Sequence, residues 1–453
     1  MPTYINANSV TFSNSTFRNS INIIDVDLRS TTFVNNNMGY AFENCTNLQS
    51  VTNISNSVTN MCNTFSYCNS LVNAPNISDS VTNMYGTFSY CRNLINAPTI
   101  PNSVTGMMAT FDACRNLVNA PVIPNSVTIM IRTFYGCTNL VNAPTIPNSV
   151  TIMSHTFQYC TNLVNAPNIP NSVTNVYCTF QNCNSLVNAP TMSNSVTNMD
   201  STFSECINLV NASNIPNSVT DMHCTFYNCH NLVNAPTMPN SVVNMSSTFS
   251  KCTNLVNIPN IPNSVTDMYC AFYKCTNLIN APNISDSVVN MSSTFSECTS
   301  LVDAPNIPNN VTNMYCAFYN CHNLVNAPNN IPDSVINMSS TFSECINLVN
   351  GPNISNGVTN MYCTFYNCSK LSGDIYIKSE EITNMTGAFG INVIGKPVEW
   401  TAPSKNVYIP FKYANNVNTQ TYNAAISAGY DTNGSSRYGV YLKDINQINL
   451  TII

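Results

Sequence analysis

Apolar residues recur along the chain in a fixed order that repeats every 23 residues. The order within one repeat is Leu, Ala, Ile, Val, Met, Phe and Cys, and residues 140–162 are a clear copy. The pair F-x-x-C first appears at Phe42 and Cys45 and occurs 15 times, the last at Phe365 and Cys368. A fixed period of this length is typical of repeat architectures, in which one repeat cannot bury its apolar face alone.

The spacing of these apolar positions, three or four residues apart, would by itself suit an amphipathic helix. Eight repeats also carry two prolines, such as Pro144 and Pro147, and a proline inside a helix costs about 3 kcal/mol. The Asn, Ser and Thr residues between them prefer turns. We therefore predict one solenoid coil per repeat, with short strands at 150–153 and 163–166 and a single helical or 3₁₀ turn at 156–160.

Stacked coils place equivalent residues in register about 4.8 Å apart, and each coil is stabilised by its neighbours. The chain contains 80 asparagines, which form columns such as Asn142, Asn165 and Asn188. An amide both donates and accepts a hydrogen bond, so identical copies can satisfy one another along the stack. The predicted fold class is a mainly β solenoid of about 15 coils of 23 residues.

The repeats also predict the domain boundaries. Residues 42–390 are expected to form the solenoid, and its last coil is degenerate. Residues 1–41 carry one degraded unit and are expected to form an N-terminal cap, because an open stack must cover its edge. Residues 391–453 depart from the repeat and are expected to form a small α+β C-terminal capping or attachment domain.

Composition narrows the classes of function. Charged residues make up 8% of the chain, against roughly 25% in an average soluble domain. Only 14 residues are basic and the net charge is −6, which argues against nucleic acid or an anionic membrane as partner. No apolar run approaches the roughly 20 residues of a membrane helix, and no secretory signal is evident. Few titratable groups are present, so we expect no enzyme.

The 21 cysteines follow the repeat. The column from Cys45 to Cys368 is interpreted as a ladder of small buried thiols, with disulfides as the alternative. Further cysteines form C-x-x-x-x-C pairs, for which a disulfide within one coil is the alternative. These pairs are Cys178/Cys183, Cys224/Cys229, Cys270/Cys275, Cys316/Cys321 and Cys363/Cys368.

One place in the sequence offers soft metal ligands. His223 and Cys224 lie near Cys229 and His230, but their spacing is not that of a familiar zinc site and the neighbouring repeats lack the histidines. No Ser/His/Asp arrangement is present, and Glu205, Glu297 and Glu344 recur singly rather than in pairs. We therefore expect no metal, no cofactor and no catalytic residues.

Tyrosines supply the candidate binding residues. From residue 177 onward two kinds of repeat alternate, one with Tyr or His before Cys and one with two serines. Aromatic rings can stack on sugar faces and Asn amides can bind hydroxyl groups, so a glycan is a plausible ligand. The alternative is that the rings only cover the convex edge of the coils. The candidates are Tyr227, Tyr269, Tyr273, Tyr315, Tyr319, Tyr362 and Tyr366.

The motif I-P-x-S-V-T-x-M-x-x-x-F-x-x-C-x-x-L resembles the BspA-type leucine-rich repeat of bacterial and protist surface proteins. The resemblance covers about residues 42–390. It implies a right-handed, leucine-rich-repeat-like stack with a parallel sheet, and a role in adhesion or binding. Similar arrays also occur in predicted bacteriophage structural proteins.

The sequence thus favours a non-enzymatic structural and recognition protein. The first hypothesis is a phage virion fibre or decoration protein, located in the virion, that contacts a host-surface glycan or protein and other virion proteins. The alternative is a bacterial or protist cell-surface adhesin, and a second alternative is a cytoplasmic protein-interaction scaffold. Each hypothesis is compatible with a homo-oligomer, and none requires nucleic acid or membrane insertion.

Overall fold

The computed structural model describes residues 3–6, 10–379, 381–384, 388–389, 405–409 and 448–452. Their strands form three parallel sheets, ordered β1-β3-β5, β2-β4 and β6-β7-β8. The chain divides into a first unit, Met1–Asp221, and a second unit, Met222–Ile453, which are described separately. The elements are β1 Thr3–Asn6, β2 Thr11–Phe12, β3 Ile23–Asp27, β4 Thr32–Phe33, a 3₁₀ turn at Val34–Asn36, β5 Ser50–Thr52, β6 Ile375–Tyr376, β7 Lys405–Ile409 and β8 Ile448–Ile452.

Backbone hydrogen bonds hold each repeat on the next within both units. In the repeat that includes Met61, every second N–H donates to a carbonyl one repeat further on, as Phe65 does to Thr87 at 2.9 Å. The N–H groups between them close turns inside their own coil, as Cys68 does on Phe65 at 3.0 Å. Each N–H from Met61 to Cys68 therefore has a partner, which buried backbone requires.

This alternation overturns the predicted helical or 3₁₀ turn at 156–160. The segment forms consecutive hydrogen-bonded turns in which His155 and Tyr159 have left-handed φ values of 59° and 61°. A helical turn would direct successive N–H groups along its own axis, whereas here every second one must point at the neighbouring coil. The predicted strands at 150–153 and 163–166 shrink to single bridging residues, Ile152 and Asn165, for the same reason.

The apolar columns fill the interior of each unit. Ala143, one of the apolar positions of the repeat, is only half-buried, whereas the polar Thr156 is fully buried. The Thr156 hydroxyl is accommodated because it donates to the carbonyl of Met130 at 2.8 Å. The fully buried side chains of the same repeat are Leu140, Val150, Met153, Phe157 and Cys160.

Phenylalanine rings stack along the core of each unit. In the first unit Phe42 and Phe65 have ring centroids 5.7 Å apart and planes 9° apart. In the second unit Phe249 and Phe272 are 5.7 Å apart with planes 1° apart. Equivalent residues of successive repeats therefore lie directly beside one another, as a solenoid of stacked coils requires.

Side-chain amides form the ladders that the sequence predicts. The Asn165 Nδ2 donates to Asn142 Oδ1 at 2.8 Å, and the Asn211 Nδ2 donates to Asn188 Oδ1 at 2.7 Å. Both pairs belong to neighbouring coils that also form a backbone bridge at these residues. The amides thus stabilise the stack from its surface, and the prediction of asparagine ladders is confirmed for these pairs.

The structure describes part of each segment that was predicted to cap the array. The degraded unit near the N-terminus stacks like a repeat, because the Phe17 ring lies 5.1 Å from that of Phe42 and its N–H donates to Ala41 at 2.9 Å. Of the predicted α+β domain at 391–453, β7 and β8 lie within the described residues and the rest lies outside them. Among the described residues, no helix has the length and apolar character to cross a bilayer.

Candidate functional site

The seven candidate tyrosines all lie in the second unit, where the structure separates them into two columns. The exposed tyrosine column has 45%, 46% and 44% of each side chain accessible, in the order Tyr269, Tyr315, Tyr362. The half-buried tyrosine column follows the core phenylalanines by one residue and consists of Tyr227, Tyr273, Tyr319 and Tyr366. The sequence predicted all seven as one set, but only the first column is exposed to this extent.

Local turn chemistry fixes the backbone of the exposed tyrosine column. The Tyr315 N–H donates to Asn313 Oδ1 at 3.0 Å, and the Tyr269 N–H donates to Asp267 Oδ1 at 2.9 Å. These Asx-type contacts start the turn that carries each ring. The next residue, Cys270 or Cys316, adopts a left-handed φ of 53° or 54°, so the chain turns back to the core immediately after the tyrosine.

The half-buried tyrosine column is engaged with charged neighbours. The Tyr273 hydroxyl donates to Glu297 Oε1 at 2.8 Å, and the Lys274 Nζ lies 3.3 Å from Glu297 Oε2. The same Lys274 Nζ lies 5.1 Å from the centre of the Tyr273 ring. A second lysine, Lys251, donates to the Tyr227 hydroxyl. These tyrosines therefore use their polar ends inside the chain, which supports a packing role for this column.

Serine-bearing repeats separate the exposed tyrosines. Ser292 and Ser339 occupy the same position in the intervening coils, and only 5% and 6% of each is accessible. Along the stack, the surface therefore alternates between an exposed tyrosine and a nearly buried serine. The Ser292 hydroxyl donates to the carbonyl of Tyr315 at 3.3 Å, so the serine coil supports the tyrosine coil beside it.

Thiols lie beside the exposed tyrosines and have raised pKa values. Burial raises the pKa of the Cys270 thiol, and the hydrogen bond with that thiol is the main cause of a raised pKa at Tyr269. The same arrangement raises the pKa of Cys316 and of Tyr315. Both groups therefore stay protonated at neutral pH, and the acidic side chain beside them is that of Asp267, which accepts the Tyr269 N–H.

The cysteine column forms the predicted ladder of buried thiols. The Cys298 Sγ donates to the carbonyl of Phe272 at 3.0 Å, and the Cys252 Sγ donates to Phe226 in the same way at 3.0 Å. All 21 cysteines are free thiols, including both members of each C-x-x-x-x-C pair. One member of a pair such as Cys270/Cys275 lies in the core, whereas the other is half-buried at the surface.

Thiol labelling tests this arrangement. In the native protein an alkylating reagent is expected to modify at most the five half-buried thiols, and slowly, because burial also raises the pKa of thiols such as Cys62 and Cys363. After denaturation all 21 cysteines should react, as counted by intact mass. A denatured count well below that number would show disulfides and contradict the thiol ladder.

The soft ligands singled out in the sequence do not converge. The His230 Nε2 lies 2.5 Å from Asn228 Oδ1, and the His223 Nε2 lies 3.5 Å from the Cys224 Sγ. In the part of the chain that the structure describes, no group of three or more His, Cys, Asp or Glu side chains could hold a metal ion. These residues therefore contribute polar contacts within the coil.

The role of Glu297 was not evident from the sequence, where it recurs singly. Its partners Tyr273 and Lys274 lie 24 and 23 residues earlier, which is one coil away. The signal that would have revealed this group is the repeat itself, because residues one period apart become spatial neighbours in a stack. Comparing charged and aromatic residues that lie one period apart in the sequence therefore predicts contacts that a search for motifs within one repeat does not find.

An extra residue makes the step from Cys321 to Cys345 24 residues long, and a polar pocket of 390 Å³ lies beside it. The extra residue lies at Asn329 and Asn330, and the Asn353 Nδ2 donates to Asn330 Oδ1 at 3.2 Å. On the cavity wall, a Cβ on Gly373 would lie 2.8 Å from Asn350 Oδ1, so glycine provides the close approach there. The stack thus absorbs the insertion at its surface while the core columns stay in register.

Comparison with known proteins gives the following matches. The family model for the BspA type leucine rich repeat region matches residues 3–118, 108–233, 223–348 and 292–390. A leucine-rich repeat protein from Bacteroides ovatus is 19% identical, with 87% of each chain covered and a TM-score of 0.50. A leucine rich cell surface protein from Faecalibacterium prausnitzii is 20% identical, covering 71% of this chain and 85% of its own, with a TM-score of 0.43. The search of curated proteins gave no match.

Proposed function

Because this chain belongs to the family of BspA-type leucine-rich repeat proteins, we propose that it is a non-enzymatic adhesin that acts at a cell surface. The single observation that carries the proposal is the family match, which extends from residue 3 to residue 390. A repeat array of this kind offers a long surface built from few residue types, which suits binding rather than chemistry. The exposed tyrosine column supplies a surface through which a partner can be held.

Of the hypotheses drawn from the sequence, this is the alternative rather than the first. The virion fibre hypothesis rested on similar arrays in predicted phage structural proteins, and neither the family match nor the structural comparison adds support for it. The cytoplasmic scaffold shares the repeat architecture but leaves the tyrosine column without a distinct role. The adhesin hypothesis accounts for both the family match and the exposed tyrosine column. Its partner would be a glycan or protein on another cell.

The proposal also includes the handedness of the solenoid, the number of its coils and its terminal caps. Parallel connections are almost always right-handed, so we infer right-handed winding through about 15 coils. Residues 1–41 are assigned to the N-terminal cap and 391–453 to the C-terminal capping or attachment domain. Such caps would leave the side of the array, rather than its ends, as the binding surface.

Binding to intact cells tests the adhesin. Labelled protein is expected to bind susceptible bacterial or epithelial cells, and the combined variant Tyr269→Ala, Tyr315→Ala, Tyr362→Ala should bind at least tenfold more weakly. A matched control replaces three exposed valines of the second unit by alanine, since their exposure of 37–38% is comparable. The control positions are Val233, Val256 and Val302. Equal loss in both variants, or no binding by the unmodified protein, contradicts the proposal.

Location is tested on the producing organism. An antibody against the purified chain is expected to label intact cells, with a signal that surface proteolysis removes. Label confined to lysed cells would support the scaffold, and recovery of the chain in purified virions would support the fibre. Either outcome excludes the cell-surface assignment.

A further inference from the structure

The alternation of coils in the second unit creates a regular series of shallow grooves. The rings of Tyr269, Tyr315 and Tyr362 protrude with nearly equal exposure, whereas Ser292 and Ser339 between them are almost fully buried. Each groove therefore has a tyrosine on either side and a serine at its floor. Two grooves of the same construction follow one another along the stack.

The spacing of the ridges follows from the core. The Phe295 ring lies 5.5 Å from both Phe272 and Phe318, and the next two steps are 5.4 and 5.5 Å. Successive exposed tyrosines are two coils apart, so they recur about every 11 Å, close to the roughly 10 Å expected from two strand spacings. The interval is set by the packed core, because the tyrosine column is attached to it through short, hydrogen-bonded turns.

Acidic side chains lie in the coils that carry the grooves, and Asp267 accepts hydrogen bonds from the Tyr269 N–H and the Asn290 amide. Lys274 is paired with Glu297, and the second carboxylate of this column, Glu344, accepts a hydrogen bond from the Asn367 amide. The thiols and hydroxyls beside the rings remain protonated at neutral pH because their pKa values are raised. The surface therefore presents hydroxyl groups, thiol groups and tyrosine rings beside acidic side chains, which favours an uncharged ligand over a polyanion.

Resting on the proposed function, we propose that these grooves bind a linear, uncharged, β-1,4-linked polysaccharide that lies along the stack with one disaccharide for every two coils. Pyranose rings present C–H groups on their faces, which pack against aromatic rings, while hydroxyl groups at their edges hydrogen-bond to asparagine. In a β-1,4 chain each sugar is flipped relative to the last, so the same face recurs every second residue. That repeat is close to the two-coil step, so successive tyrosines meet equivalent faces.

The match of periods makes binding multivalent. A ligand that reaches two tyrosines binds the second one intramolecularly, so its affinity rises well above that for one tyrosine. A chain with α-1,4 links curls and loses register after one contact. The dependence of affinity on the length and linkage of the oligosaccharide therefore distinguishes a register-matched site from nonspecific binding to aromatic side chains.

Calorimetry with defined oligosaccharides tests the inference on the full chain. Cello- and chito-oligosaccharides from the dimer to the hexamer are expected to bind with affinity that rises at least tenfold once two tyrosines are spanned, whereas malto-oligosaccharides of equal length should not show the rise. Replacing the central ring, Tyr315→Ala, should return the tetramers to the affinity of the dimers, because the remaining Tyr269 and Tyr362 are four coils apart and two disaccharides cannot reach both. The conservative Tyr315→Phe should keep most of the affinity, and Val302→Ala, which truncates an exposed side chain elsewhere, should change nothing.

Each outcome decides between the two proposals. No binding of either β-1,4 series, a flat dependence on length, or equal affinity for the malto series overturns the glycan assignment. If cell binding still depends on Tyr269, Tyr315 and Tyr362, the adhesin stands with a different partner. If cell binding is also lost or independent of these tyrosines, both proposals fail.

Discussion

Replacing Phe295 by alanine is expected to lower the free energy of unfolding of the second unit by about 3–5 kcal/mol. The ring is fully buried between Phe272 and Phe318, with centroids 5.5 Å away on either side. Alanine removes its contacts with both neighbours and leaves a cavity in the core. Because each coil is stabilised only by adjacent coils, the loss is concentrated at one point of the stack.

Hydrogen exchange and denaturant titration measure this effect. The amides that cross between coils at this level, such as Phe272 to Thr294 and Phe295 to Ala317, should lose protection first. The control Val302→Ala truncates a side chain that is 37% exposed, and it should cost no more than about 0.5 kcal/mol. Similar losses in the two variants would show that the phenylalanine column does not carry the stability of the stack.

Alkaline pH is expected to destabilise the protein steeply because of the thiol column. Burial raises the pKa of Cys252 to about 12, whereas a cysteine in an unfolded chain titrates near ~8.5. Between these values the unfolded chain has lost a proton that the folded chain keeps. Each such thiol therefore lowers the free energy of unfolding by about 1.4 kcal/mol per pH unit. Its contribution is fully present below about pH 8.5 and declines until the pH reaches the folded value.

Several thiols of the second unit act in the same direction. Burial raises the pKa well above the ordinary value in Cys275, Cys321 and Cys345 as well. The free energy of unfolding, measured by denaturant titration, should therefore be several kcal/mol lower at pH 10 than at neutral pH.

A single substitution isolates one thiol. Relative to the unmodified protein, Cys252→Ala should show a slope of stability against pH that is shallower by about 1.4 kcal/mol per unit above pH 9. Val302→Ala should leave the slope unchanged, since it removes no titrating group. Identical slopes in the cysteine variant and the unmodified protein would contradict the shielding of Cys252 by burial.

The candidate site was only partly predictable. The sequence located the seven tyrosines because they recur with the repeat, but it could not tell Tyr269 from Tyr273. Both follow the same period, and the difference lies in which one the turn directs outward. The left-handed residue at Cys270 and the contact of Tyr273 with Glu297 decide this, and both depend on the neighbouring coil.

The fold was predictable to the level of the coil and no further. The period of 23 residues, the prolines within the repeats and the regular Phe and Cys positions suffice to require stacking, since no single repeat can bury those side chains. The shape of the turn side was predicted wrongly as a single helical or 3₁₀ turn. A helical turn and the observed turns satisfy the same apolar spacing, so the pattern alone could not separate them.

What the sequence by itself determined is the identity of the columns: which residue types meet their own copies, and that asparagine, phenylalanine and cysteine each form a ladder. These follow from periodicity, because a period fixes which residues become neighbours. Only the tertiary structure decided where each backbone N–H donates and which column faces solvent. The reason is that half of the N–H groups on the turn side find their acceptor in another coil, and that choice sets the direction of every side chain between them.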